Sequence, residues 1–122
     1  MIVFHINHAQ EIDDAVIDAC RRAREAGITL LNQSVLLRGV NDDAGALIEL
    51  SERLFAAGVL PYYLHLLDRV AGAAHFEVDE DRARTLLAAL HRALPGFLIP
   101  RLVREVPGEA SKLPVDLRLG SA

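Results

Sequence analysis

Residues 28–67 decide the fold, because two apolar segments, ITLLNQSVLL (28–37) and VLPYYLHLL (59–67), flank the segment DAGALIELSERLFAA (43–57). The flanking segments are nearly continuous in apolar residues, a pattern typical of strands that are covered on both faces. The middle segment repeats its apolar residues every three or four positions, which predicts an amphipathic helix. The alternation predicts parallel strands joined by a right-handed helical crossover.

Local signals mark the ends of this helix. Residues 38–42 predict a turn, in which Asn41 or Asp42 is expected to cap the start of the helix. Gly58 is expected to follow its end, as Gly27 follows the preceding helix.

The same alternation continues outward along the chain. Residues 2–6 predict a first strand, residues 11–26 a helix, residues 79–94 a third helix and residues 97–103 a last strand. Three to four parallel βα units are fewer than the eight of a complete barrel. The pattern therefore predicts an α/β fold and leaves open whether it is a small open sheet or part of a barrel.

Composition narrows the class of protein. The chain has 122 residues, of which 52% are hydrophobic and 25% charged, which is typical of one globular domain. Its formal charge of −4 disfavours binding to DNA or RNA through phosphates. No segment approaches the roughly 20 apolar residues of a membrane span. A single cysteine, Cys20, and the absence of a recognisable leader predict a cytoplasmic protein.

Polar residues near the carboxyl ends of parallel strands are the first candidates for a ligand site, since these ends meet at one edge of the sheet. His5 and His8 are either ligands or bases, or else hydrogen-bonded core or capping residues. Gln33 lies in an apolar strand and needs a partner, because an unpaired buried amide costs about 1 to 3 kcal/mol. That partner is either the backbone or a ligand.

The remaining candidates lie in the second half of the chain. The strand at residues 59–67 carries His65 and leads to Asp68, which either meets a cationic substrate or caps a helix or turn. Glu105 follows the last strand, and Lys112 lies in a polar segment, where a lone lysine is ordinarily a solvated surface charge.

In chain order, several rare motifs resemble the lysine 2,3-aminomutase family of radical S-adenosylmethionine enzymes. They are HINH (5–8), LNQSVLLRGVND (31–42), PYY (61–63) leading to Asp68, and PG (107–108) leading to Lys112. The variants YLH (63–65) and GAAHF (72–76) are most similar to the branch that β-lysylates elongation factor P.

This resemblance implies a fold and a set of roles. Residues 1–104 would be the C-terminal βα units of a radical S-adenosylmethionine barrel, a partial TIM barrel, and residues 105–122 a lysine loop and tail. Lys112 would bind pyridoxal phosphate covalently, and Asp68 and Glu105 would hold the side-chain ammonium of the lysine substrate. The family has aspartate where this chain has Glu105, and the extra methylene would alter the accepted substrate.

The resemblance also implies that His5, Gln33 and His65 bind cofactor, near S-adenosylmethionine and the pyridoxal ring. The family reaction converts L-lysine to β-lysine, and the implied partners are lysine and the elongation factor P pathway. The family's [4Fe-4S] cluster needs three cysteines spaced Cys-x3-Cys-x2-Cys. Because the chain has only Cys20, on the apolar stripe of a predicted helix, we expect no cluster and no activity of the chain alone.

A partial barrel exposes strand edges and an inner face, so we expect the chain to self-associate into a homo-oligomer. The alternative to a fragment of a lysine 2,3-aminomutase-like enzyme is a non-catalytic α/β scaffold, which only assembles with itself or pairs with the rest of the barrel.

Overall fold

A parallel sheet organises the chain in the computed structural model, which describes residues 1–67, 76–104 and 113–114. Its strands are β1 Ile2–Phe4, β2 Leu30–Leu36, β3 Leu60–Leu66, β4 Arg101–Arg104 and β5 Leu113–Pro114. They lie in chain order, with β1 to β4 parallel and β5 antiparallel to β4. The predicted parallel α/β fold is confirmed, and the short antiparallel β5 was not predicted.

Helices connect the parallel strands. They are α1 Asp14–Glu25, α2 Ala44–Ala56 and α3 Glu80–Ala93, together with the short 3-10 helices Ala9–Glu11 and Gly96–Leu98. Each α-helix follows an aspartate whose carboxylate accepts a hydrogen bond from a main-chain N–H of the first turn: Asp13, Asp43 and Asp79. Among the described residues, no helix is long and apolar enough to cross a membrane.

The predicted N-cap of α2 was wrong, since Asp43 takes that position rather than Asn41 or Asp42. The Asp42 carboxylate instead accepts from Gly39 N at 2.9 Å. Asn41 is 1% exposed, and its amide bonds to main-chain groups of β2 and of the segment after β1. Gly58 follows α2 with φ of +83°, as predicted.

Two other boundaries differ from the pattern. Helix α1 begins three residues later than predicted, because Glu11 closes a capping box on the 3-10 helix by accepting from the main-chain N–H groups of Asn7 and His8. Strand β4 begins at Arg101 rather than residue 97. Pro100 cannot donate to a sheet ladder, and residues 96–98 form a 3-10 turn.

The helices pack on one face of the sheet and build two clusters of buried side chains. Helices α2 and α3 bury one cluster against β2, β3 and β4, and α1 and α2 bury the other beside β1 and β2. Along β2, burial alternates: residues 30, 32, 34 and 36 are buried and residues 31, 33 and 35 half-buried. Within the described residues the second face of β2 is only partly covered, unlike the two-sided burial its apolar pattern predicts. We call this half-covered face the inner face.

Candidate functional site

A cavity of about 370 Å³ opens at the carboxyl ends of β1, β2 and β3. Its polar lining consists of His5, Asn7, Gln33 and His65, and its apolar lining of Val35, Leu66 and Leu67. These residues come from three parallel strands and the segments after them, whose carboxyl ends the sheet brings to one edge. We call this cavity the strand-end pocket. A few polar groups in an apolar wall are typical of small-molecule sites of this size.

Three of the predicted cofactor-binding residues, His5, Gln33 and His65, therefore meet in one place. Parallel register explains the meeting, because Gln33 on β2 lies beside Tyr63 on β3, and His65 is the next β3 residue on the same face. A register irregularity at Asn32 and Gln33 inserts one extra β3 residue just before this point.

Gln33 has a partner in the pocket. Its Oε1 lies 3.2 Å from His65 Nε2, so the imidazole N–H donates to the amide oxygen. The Tyr63 ring packs edge-on against His65, with ring centroids 5.8 Å apart. The prediction that Gln33 needs a partner is confirmed, but the partner is a side chain rather than the backbone.

His8 lies outside the pocket. Its Nδ1 accepts a hydrogen bond from Gln10 N at 3.1 Å, which caps the 3-10 helix Ala9–Glu11. The capping interpretation of His8 is therefore confirmed.

Asp68, Glu105 and Lys112 lie outside the residues that the structure describes. The strands that precede the two acidic residues are neighbours, since Leu66 at the end of β3 pairs with Arg104 at the end of β4. Arg104 forms an ion pair with Glu80 in the first turn of α3, and Arg84 Nη2 lies 2.8 Å from the same carboxylate. This network ties the end of β4 to α3.

The aromatic pair Tyr62 and Tyr63 lies before His65 on β3, with ring centroids 4.1 Å apart. A hydrogen bond between Tyr62 and Tyr63 raises the pKa of the Tyr62 phenol above its ordinary value. The Tyr62 phenol therefore keeps its proton to a higher pH than an isolated tyrosine does.

Cys20 is fully buried in α1, in the cluster between α1, α2 and the sheet. Burial raises the pKa of its thiol, although the Arg24 charge acts in the opposite direction. Cys20 therefore packs in the core, on the apolar stripe of the helix where the sequence pattern placed it. The described residues contain no group of three or more His, Cys, Asp or Glu side chains that could hold a metal ion.

Sequence reasoning missed the part played by the asparagines around the pocket. Asn32 and Asn41 are each 1% exposed, and their amides bond to main-chain atoms. The available signal was Asn32 itself, a polar residue on the helix-facing side of a strand whose ends are apolar.

The L-lysine 2,3-aminomutase of Escherichia coli strain K12 is 55% identical to this chain over 119 residues, which span 98% of the chain and 35% of the relative. Over almost its whole length, the chain is thus similar to a C-terminal part of the lysine 2,3-aminomutases.

Other relatives show the same similarity. The L-lysine 2,3-aminomutases of Haemophilus influenzae and Clostridium subterminale are 49% and 37% identical over 112 and 111 residues, covering 33% and 27% of those proteins. The chain thus spans about a third of the length of these family members. No family model matches the chain.

A solved structure supports the fold. The crystal structure of a radical SAM methyltransferase from Sphaerobacter thermophilus superposes with a TM-score of 0.61, covering 84% of this chain and 33% of that one, at 20% identity. At this identity the likeness concerns the fold alone, and it agrees with the expected part of a radical S-adenosylmethionine barrel.

Proposed function

We propose that the chain is the C-terminal ligand-binding part of an enzyme that converts L-lysine to β-lysine for the modification of elongation factor P. The observation that carries the proposal is the strand-end pocket, in which His5, Gln33 and His65 meet. The 55% identity to a lysine 2,3-aminomutase supports the reaction class. By itself, the 122-residue chain is proposed to be inactive.

The pocket's residues suit part of S-adenosylmethionine. His5, Asn7, Gln33 and His65 offer hydrogen-bonding groups for a ribose or an amino acid end, and Val35, Leu66 and Leu67 offer an apolar wall beside them. In this enzyme class the cofactor, together with a reduced iron–sulfur cluster, supplies the radical that takes a hydrogen atom from the lysine carbon chain. The proposed role of the chain's own residues is to bind and orient the cofactor and the lysine substrate.

The chain does not fit the cluster itself. Its sequence contains one cysteine, Cys20, whose thiol is buried in α1. A cluster held by three cysteine thiolates therefore needs residues that this chain does not provide.

Lys112 is proposed to bind pyridoxal phosphate, and the amino acid usage of the chain supports this role. Lys112 is the only lysine in the sequence, whereas arginine occurs at the other 12 basic positions. Arginine serves any surface charge, but covalent attachment to an aldehyde cofactor requires an amine that can lose its proton. Asp68 and Glu105 are proposed to bind the side-chain ammonium of lysine through charge-assisted hydrogen bonds.

The test is cofactor attachment to the purified chain. We expect pyridoxal phosphate to give an absorption band distinct from the free cofactor, and borohydride reduction followed by peptide mass analysis to place the label on Lys112. The only other primary amine is the chain's N-terminus. The matched control is Lys112→Arg, which keeps the charge and should abolish both the band and the label. Equal labelling of the N-terminal amine and Lys112 would refute a cofactor site in this chain.

The buried single cysteine also favours a second function, a non-catalytic α/β scaffold that assembles with itself or with the rest of the barrel. The same labelling experiment separates the two. If the chain is only a scaffold, pyridoxal phosphate should not attach selectively to Lys112. The chain should then still self-assemble without any cofactor.

A further inference from the structure

The main-chain ladder between β1 and β2 stops after Phe4, at the base of the strand-end pocket. Ile2 pairs with Leu30 and Phe4 with Asn32. In a regular parallel ladder the next bonds would join Ile6 N to Gln33 O, and Val35 N to Ile6 O.

Side-chain amides make these bonds instead. Ile6 N donates to Asn32 Oδ1 at 2.9 Å, and Asn32 Nδ2 donates to Ile6 O at 3.0 Å. Val35 N donates to Asn7 Oδ1 at 2.9 Å. Asn32 therefore takes the place of a peptide group and satisfies both main-chain polar atoms of Ile6, whose side chain is buried.

A second buried amide also holds this segment. Asn41 Nδ2 donates to Asn7 O at 2.8 Å and to Val35 O at 2.9 Å, and its Oδ1 accepts from Leu37 N at 2.8 Å. The amide thus joins the segment after β1, the end of β2 and the turn before α2. The Asn41 side chain uses both its N–H donor group and its acceptor oxygen in these bonds, and among side chains of this size only an amide offers both.

An interposed side chain separates two backbones further than a direct hydrogen bond does. The pocket lies where this separation occurs, between His5 and Asn7 on one side and Gln33 and Val35 on the other. We propose that Asn32 and Asn41 are positioning residues, whose amides hold residues 5–7 away from β2 so that His5 and Gln33 face one gap that admits an adenosyl-type cofactor. The cofactor named here rests on the proposed function, whereas the positioning does not.

The substitutions that test the proposal follow from donor and acceptor counts. In Asn32→Asp the carboxylate can still accept from Ile6 N but faces Ile6 O without a proton to donate. Protonation at low pH restores the donor, and burial favours the protonated form. Asn32→Leu has a similar size and no polar atom, so pH cannot rescue it.

The first measurement is nuclear magnetic resonance of the isotope-labelled chain. In Asn32→Asp at pH 7.5 we expect the Ile6 amide to exchange with solvent about tenfold faster than in the wild type, because Ile6 O loses its donor and faces a carboxylate, so that residues 5–7 separate from position 32 more often. We expect the His5 ring signals to shift as well. At pH 5 the difference from the wild type at the same pH should shrink. Asn32→Leu should show the same defect at both pH values.

Leu87→Ala is the control for a general loss of stability, since Leu87 is buried in the cluster of α2 and α3, away from residues 5–7. We expect it to lower the melting temperature without moving the His5 signals. If Asn32→Asp and Leu87→Ala changed the Ile6 exchange rate and the His5 signals alike, the positioning role would be refuted.

The second measurement is titration with S-adenosylmethionine, in which Asn32→Asp should bind at least about tenfold more weakly than wild type at pH 7.5 and recover at pH 5. A wild-type chain that does not bind S-adenosylmethionine, combined with a pH-rescued His5 shift in Asn32→Asp, would support positioning and contradict the cofactor. Unchanged affinity in Asn32→Asp would refute the positioning of the pocket.

Discussion

The Nε2 atom of His65 lies 3.2 Å from Oε1 of Gln33, and this contact joins two neighbouring strands inside the strand-end pocket. The amide oxygen can only accept, so the imidazole must carry its proton on Nε2. Gln33 thereby selects the tautomer and the orientation of His65 in the proposed cofactor site.

Gln33→Leu should weaken S-adenosylmethionine binding by about tenfold, because the pocket loses one polar group and the His65 ring loses its hydrogen bond. The melting temperature should change little, since Gln33 is half-buried and a leucine fits an apolar strand. Calorimetric titration and a thermal melt measure the two effects. Gln10→Leu, at an exposed position of the 3-10 helix, is the matched control and should alter neither. Equal affinities of wild type and Gln33→Leu would remove Gln33 from the site.

Cys20 should react with a thiol reagent only after the chain unfolds, because its side chain is fully buried. Burial raises the pKa of the thiol in the folded chain. The unfolded chain therefore loses its thiol proton first as pH rises, and the free energy of unfolding falls above about pH 8.5. Urea unfolding at pH 7 and pH 9.5 measures this loss.

Cys20→Ala is the comparison for that experiment. It should cost about 1 to 2 kcal/mol at pH 7 by leaving a small cavity, and it should lack the thiol's share of the fall in stability at pH 9.5. Rapid labelling of Cys20 in the native chain would contradict its burial.

Self-association is expected through β1, which has β2 as its single neighbour in the described sheet. Ile2 N donates to Thr29 O at 3.0 Å, so the N–H of Val3 points to the opposite edge. Val3→Pro should therefore block pairing with a second copy while keeping the β1–β2 ladder. Light scattering across a concentration series should show a dimer for the wild type and a monomer for Val3→Pro.

Ile2→Pro is the matched control, because it removes the donor to Thr29 and should lower the melting temperature more than Val3→Pro does. A wild-type chain that stays monomeric at high concentration would contradict self-association.

Gly27 and Gly58 end α1 and α2 with φ of +80° and +83°. Gly27→Ala should cost about 1 to 2 kcal/mol, the strain of a left-handed residue with a β-carbon. Gly58→Ala carries the same strain and adds an overlap with the Arg24 side chain, whereas the space beside Gly27 is open. Arg24 is exposed and can move, so the extra cost should be small and should vanish in Arg24→Ala. Chemical unfolding of Gly58→Ala with and without Arg24→Ala measures this extra cost in the free energy of unfolding.

Most of the architecture could be predicted from local patterns. Periodicity placed the three helices and the four parallel strands, and glycines marked the ends of α1 and α2. The predicted helix boundaries were wrong where a side chain hydrogen-bonds to main-chain groups that the pattern does not reveal. Glu11 caps a separate 3-10 helix, and Asn41 bonds to the main chain of Asn7 instead of capping α2. Neither hydrogen-bond partner can be predicted without knowing which main-chain groups lie near the side chain.

The sequence by itself determined the fold class, the resemblance to the lysine 2,3-aminomutases and the candidate residues His5, Gln33 and His65, because hydrophobic periodicity and motif order are properties of the chain. Only the tertiary structure decided that these three share one pocket, that His8 is a cap, and that Asn32 and Asn41 replace main-chain bonds beneath that pocket. The reason is that parallel register joins residues about 30 positions apart, and a hydrogen bond of about 3 Å depends on that register.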